Sequence, residues 1–95
     1  MNDRQLSFYI IDDDPFFIEM MTDVLEDEGH SVSSNHSAIL SLSEIRAKRP
    51  GCILVDLQMA EMNGLELCQE IRKMPEARKS KIIFVSAHSD DSWKQ

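Results

Sequence analysis

Apolar and polar positions fall into four short apolar blocks, separated by segments whose apolar residues recur at helical spacing. Residues 6–11 form an apolar run with aromatic and β-branched members that is too short for a helix and stops at Asp12, Asp13 and Asp14. A buried strand ending in acid is the expectation. Asp14 then offers an N-cap, Pro15 suits the first helical position, and Phe17, Met20, Met21 and Val24 recur at helical spacing until Gly29. Residues 30–35 hold only Val32 as a strong strand former, which fits an edge strand. Over residues 37–48, Ala38, Leu42 and Ile45 share one helical face, and basic residues close the segment before Pro50 and Gly51. Residues 52–55 are continuously apolar and end at Asp56, followed by a methionine-rich loop. Asn63 can cap a third helix with Glu66 in the capping-box position, and Leu67, Ile71 and Met74 carry its apolar face up to Pro75. Residues 81–85 are the fourth run, with Ser86 at its end and a further helix start at Ser89, Asp90 and Asp91.

Strands alternating with helices at this spacing imply βαβ units, hence an α/β fold with a doubly wound parallel sheet, right-handed crossovers and helices on both faces. At 95 residues the chain has room for one domain, spanning 1–95. The 42% hydrophobic and 28% charged composition is that of a soluble globular protein. A formal charge of −7 argues against direct nucleic-acid or anionic-membrane partners, which require a basic patch, and is compatible with cations. The N-terminal segment meets acid before its apolar run is long enough for a signal or a membrane span, so a cytoplasmic location is expected. Cys52 and Cys68 lack metal-ligand spacing with His30, His36 or His88 and read as reduced packing residues; the histidines read as surface or loop residues.

In an open parallel sheet, ligands bind beyond the carboxyl ends of the strands. Asp12 and Asp13 end the first strand, Asp56 the third and Ser86 the fourth, so residues distant in sequence converge on one edge. Carboxylates held close repel one another unless a cation sits among them, and Mg²⁺, with its preference for oxygen ligands, suits such a set. The plainer alternative is that Asp12, Asp13 and Asp14 form a solvated loop capping the first helix, a role that suits Asp14 in any case. Asp56 weighs more, because an isolated carboxylate after a fully apolar strand is costly to desolvate without a partner.

These residues resemble the receiver domain of two-component response regulators, and the resemblance runs the length of the chain. The segment Tyr9-Ile10-Ile11-Asp12-Asp13-Asp14-Pro15 looks like the receiver acidic pair at the end of the first strand. Ile53-Leu54-Val55-Asp56-Leu57-Gln58-Met59-Ala60-Glu61-Met62-Asn63-Gly64 looks like the phosphoacceptor motif, and Phe84-Val85-Ser86-Ala87 like the hydroxyl-bearing strand end. The resemblance implies a flavodoxin/CheY-like sheet of order 2-1-3-4. It implies that Asp56 takes a phosphoryl group from a sensor histidine kinase or phosphotransfer protein. It further implies Mg²⁺ on Asp13, Asp56 and the backbone carbonyl of Gln58, with Asp12 acting through water, and a hydrogen bond from Ser86 to the phosphoryl group that pulls the following loop inward. Such a domain is a signalling phosphoacceptor that assists its own phosphorylation and dephosphorylation, not an enzyme acting on a separate substrate. Gln58 and His88 would border the phosphoryl group and tune its lifetime, while Met59, Met62 and Met74 fill gaps beside loop and helix.

Two departures stand out. Ala60 occupies a position where receivers usually carry proline, which leaves one φ angle of the acceptor loop unconstrained. The fifth strand with its lysine and the last helix are missing, and Lys94 is not promoted to that role, so the chain reads as a receiver incomplete at its C-terminus. The expected consequences are an open face on the first helix and an exposed edge on the fourth strand through which a homodimer could form. A phosphorylation-independent interaction module is the alternative function. An aspartyl-phosphate hydrolase is disfavoured because Asp56-Leu57-Gln58 lacks a second acid.

Overall fold

The computed structural model describes residues 5–85. Four parallel strands, β1 (Ser7–Ile11), β2 (Ser31–Asn35), β3 (Cys52–Asp56) and β4 (Lys81–Val85), form one sheet in the order β2-β1-β3-β4. They alternate with α1 (Pro15–Asp27), α2 (Ala38–Lys48) and α3 (Gly64–Arg72). The expected 2-1-3-4 order is therefore present. Every residue of β3 is buried, which is why its sequence is a continuous apolar run: helices cover both faces of a central parallel strand. β2, with one serine after another, sits at the edge.

Two apolar clusters flank the sheet. Tyr9, Ile11, Ile53 and Val55 point to one side, where Ala38 and Ile45 of α2 and Leu67 and Ile71 of α3 meet them. Ile10, Cys52 and Leu54 point to the other, against Phe17, Ile18, Met21 and Leu25 of α1. The alternation along β1 and β3 is the period-2 pleat sorting side chains between layers. α1 corrects the expected face: Met20 and Val24 are about half exposed, and Ile18 and Leu25 take the inward positions. None of its thirteen residues is fully buried, and Phe16 is 79% exposed.

The two expected caps are in place: Asp14 accepts from the Phe16 amide and Asn63 from the Glu66 amide. Ser37, not singled out by the sequence pattern, caps α2 by accepting from the Leu40 amide. α3 is shorter than its apolar periodicity suggests. It stops at Arg72, Met74 is extended (φ −90°, ψ 121°), and residues Pro75–Ala77 form one 3₁₀ turn. The physical cause is Pro75, whose ring disfavours helical backbone at the preceding residue. Met74 nonetheless remains buried in the core, and Met59 and Met62 pack against it as gap-fillers.

The histidines behave unequally. His36 is exposed, whereas His30 is half-buried, accepts from the Leu6 amide at 3.1 Å through Nδ1 and tilts against Phe8. Cys52 and Cys68 are free thiols, the former buried. Among the described residues no helix is long and apolar enough to cross a membrane.

Candidate functional site

β1 and β3 are neighbours, with Ile11 paired to Val55, so the residues that follow them emerge side by side. Asp12, Asp13 and Asp56 each bring a carboxylate oxygen to within 4.8 Å of the others. Asp12 is 1% and Asp56 3% exposed, while Asp13 faces solvent. The expected convergence of the acidic pair with Asp56 is thus present, whereas Ser86, His88 and Lys94 lie outside the described residues. Val85, the last described residue of β4, pairs with Asp56 and accepts from the Leu57 amide at 3.1 Å.

Local hydrogen bonds hold the carboxylates in place. Asp12 Oδ1 accepts from the Asp14 amide at 2.9 Å, and Asp56 Oδ1 accepts from the Gln58 amide at 3.1 Å, so each aspartate folds its own following loop back over itself. The exposed Gln58 side chain stands next to the cluster in sequence. Between the loops, Asp13 Oδ2 accepts from the Ala60 amide at 3.3 Å. A proline at position 60 would carry no such donor, so the alanine found there contributes a bond as well as a freer φ angle.

Gly64 opens α3 directly against the backbone of Asp56. A Cβ there would lie 2.8 Å from the Asp56 carbonyl oxygen and 2.9 Å from Leu57 Cα, both backbone atoms with no freedom to swing away. Its amide donates to the Leu57 carbonyl at 3.1 Å. Glycine is therefore what allows the start of α3 to press on the strand end that carries Asp56.

Glu61, three residues before Gly64, reaches out of the same loop to α2. Its carboxylate accepts from the Ala38 amide at 2.5 Å, the Ile39 amide at 3.3 Å and Ser37 Oγ at 3.1 Å. A carboxylate on free amides at a helix start is favourably placed both for hydrogen bonding and for the helix dipole. The sequence offered no signal for this contact, since the partners are 22 to 24 residues away and no periodicity connects them. Asp13, His36, Ser37, Met59, Ala60 and Glu61 line a cleft of about 310 Å³ beside the cluster.

The donor set fits a hard divalent cation. Three carboxylates on two loops supply oxygens only, and one oxygen of each already lies within 4.8 Å of the others, the hard-ligand set such an ion prefers. The electrostatics agree: every lysine and arginine of the described residues falls between positions 46 and 81, and none lies on the loops after β1 and β3.

Elsewhere, the buried Tyr9 donates its hydroxyl to Glu44 of α2. Burial first, and then the facing Glu44 carboxylate, push this phenol well above its ordinary value of 10.0. Burial likewise pushes the Cys52 thiol above 9.0, against the opposite pull of Lys81.

Comparison with known proteins agrees with the geometry. Residues 8–95 match the family model of the response regulator receiver domain. Response regulator protein TodT of Pseudomonas putida is 33% identical over 90 residues, covering 95% of this chain and 39% of that protein. Response regulator protein TmoT of Ectopseudomonas mendocina is 32% identical over 90 residues, covering 95% of this chain and 40% of that protein. The chain thus spans about two fifths of the length of these relatives. Chemotaxis protein CheY4 of Vibrio cholerae superposes with a TM-score of 0.84 at 21% identity, over 97% of this chain and 77% of that one, a likeness of fold alone. With the family match extending over residues 8–95 and the acidic pair meeting Asp56 at the carboxyl edge of a 2-1-3-4 sheet, the chain belongs to the response regulator receiver domain family.

Proposed function

We propose that the chain is a phosphoacceptor in which Asp56 takes a phosphoryl group from a phosphohistidine on a sensor kinase or phosphotransfer protein. The observation that carries this reading is the meeting of Asp12, Asp13 and Asp56 within 4.8 Å at the carboxyl edge of the sheet. An Asp56 carboxylate oxygen attacks phosphorus, the P–N bond breaks, and the departing imidazole keeps the electron pair and is protonated on leaving. The product is an acyl phosphate. Bound Mg²⁺ supplies charge neutralisation at the phosphoryl oxygens. Asp13, Asp56 and the backbone carbonyl of Gln58 would hold it, with Asp12 contributing its charge beside them. The Gln58 amide orients Asp56, and Gly64 keeps α3 close enough to fix the strand end, so the chain's own task is positioning.

Ser86 supplies a hydroxyl for the phosphoryl group, and its movement carries the switch. Gln58 and His88 set how readily water reaches the acyl phosphate. The chain acts in the cytoplasm as a signalling component and assists its own phosphorylation and dephosphorylation without a separate substrate, and it engages neither nucleic acid nor membrane directly. The test is incubation with Mg²⁺ and acetyl phosphate, read by intact mass, for the parent chain and Asp56→Asn. One added phosphoryl group on the parent and none on the variant is expected; labelling that survives the substitution refutes the assignment.

A further inference from the structure

We propose that Glu61 is a positioning residue that fastens the loop after β3 to the first turn of α2, so that cation occupancy of the Asp12, Asp13 and Asp56 cluster is transmitted to the N-terminus of that helix. The inference rests on the reading of the cluster as a cation site and extends it to a second element. Three observations carry it. Glu61 engages two main-chain amides of α2, Ala38 and Ile39, together with the capping residue Ser37, so α2 is capped jointly by its own serine and by a loop 22 to 24 residues downstream. The neighbouring Ala60 amide donates to Oδ2 of Asp13, one of the three residues whose carboxylates gather at the cluster. The two contacts lie on consecutive residues, so Asp13 and α2 are joined through a single peptide unit.

The mechanical consequence follows from the number of bonds. Asp13 holds the Ala60 amide through one contact of 3.3 Å, whereas the Glu61 carboxylate takes three donors at the start of α2, the Ala38 and Ile39 amides and Ser37 Oγ. A cation that draws Asp13 inward competes with the single bond and moves Ala60, and the multiply bonded Glu61 passes that movement to Ala38 and Ile39. Capping bonds at a helix start are sensitive reporters, because those amides have no partner within the helix. Coupling is reciprocal: a loop fastened to α2 has less freedom to lose when the cation orders it, so the fastening raises cation affinity.

The experiment is a Mg²⁺ titration of the whole chain, followed by the backbone amide signals of Gln58, Ala38 and Ile39. In the parent chain all three are expected to shift with one midpoint. In Glu61→Ala, Gln58 should still respond, at a Mg²⁺ concentration about three- to tenfold higher, while Ala38 and Ile39 stop responding. Ala60→Pro, which removes the amide bonded to Asp13 and leaves the Glu61 carboxylate in place, should silence Ala38 and Ile39 in the same way. Glu19→Gln is the control for charge alone: Glu19 lines a neighbouring cleft with Asp13, and its loss should leave the joint response intact. The proposal is overturned if Ala38 and Ile39 stay still in the parent while Gln58 shifts, or if they keep shifting in either loop variant. If Gln58 too fails to respond in the parent, the cation site itself is refuted and the coupling with it.

Discussion

Gly64 and Asp56 have to be considered together, because the absence of a side chain at one determines where the other can sit. Adding a single carbon in Gly64→Ala forces the start of α3 away from backbone 2.8 Å distant. The cost is expected to be about 1–3 kcal/mol, measured by urea denaturation, with a weaker Mg²⁺ response at the Gln58 amide as a second sign that the strand end has shifted. Tyr9 and Cys52 make a prediction about alkaline pH. Both groups hold their protons more tightly in the folded chain than in the unfolded one. The stability they contribute is complete below the unfolded values, about 8.5 for a thiol and about 10 for a phenol, and declines as pH rises through the higher folded values. Urea midpoints should therefore fall from about pH 9 upward, and Tyr9→Phe should flatten the part of that decline above about pH 10. Cys68, half-buried, should be alkylated well before Cys52.

The three helices and four strands were legible because each is announced locally. Asp14 before Pro15 and Asn63 before Glu66 are side chains that bond amides two or three residues away, so their chemistry is written within one turn. Asp14→Ala should cost about 1 kcal/mol, seen as a lowered thermal midpoint. The inward face of α1 was only partly legible. Apolar residues surround much of that helix, and Ile18 and Leu25, not Met20 and Val24, are the ones turned toward Ile10 and Leu54. The 3₁₀ turn after α3 is not legible in the pattern, because Met74 continues the helical spacing while Pro75 breaks the backbone. Asp12, Asp13 and Asp56 were legible through topology, since the ends of neighbouring parallel strands must share an edge. Gly64 was visible as a residue but not as a contact, and the anchoring of α2 by Glu61 depends on a meeting of two loops that no local pattern encodes.

At the scale of the whole molecule, the acids gathered after β1 and β3 place a carboxylate cluster suited to a cation at one end of the sheet. Arg46, Lys48 and Arg72 sit in the last turns of α2 and α3, where they complement the helix dipoles, while α1 ends in acid at Asp23, Glu26 and Asp27. Among the described residues β4 is an outer strand with Ile83 46% and Phe84 39% exposed. The site itself is tested most directly by the phosphorylation of Asp56. With Mg²⁺ and acetyl phosphate the parent chain should gain the mass of one phosphoryl group, a gain not seen when Mg²⁺ is withheld and absent in Asp56→Asn. Equal labelling of the Asp56→Asn variant, or no labelling of the parent at saturating Mg²⁺, would contradict the account.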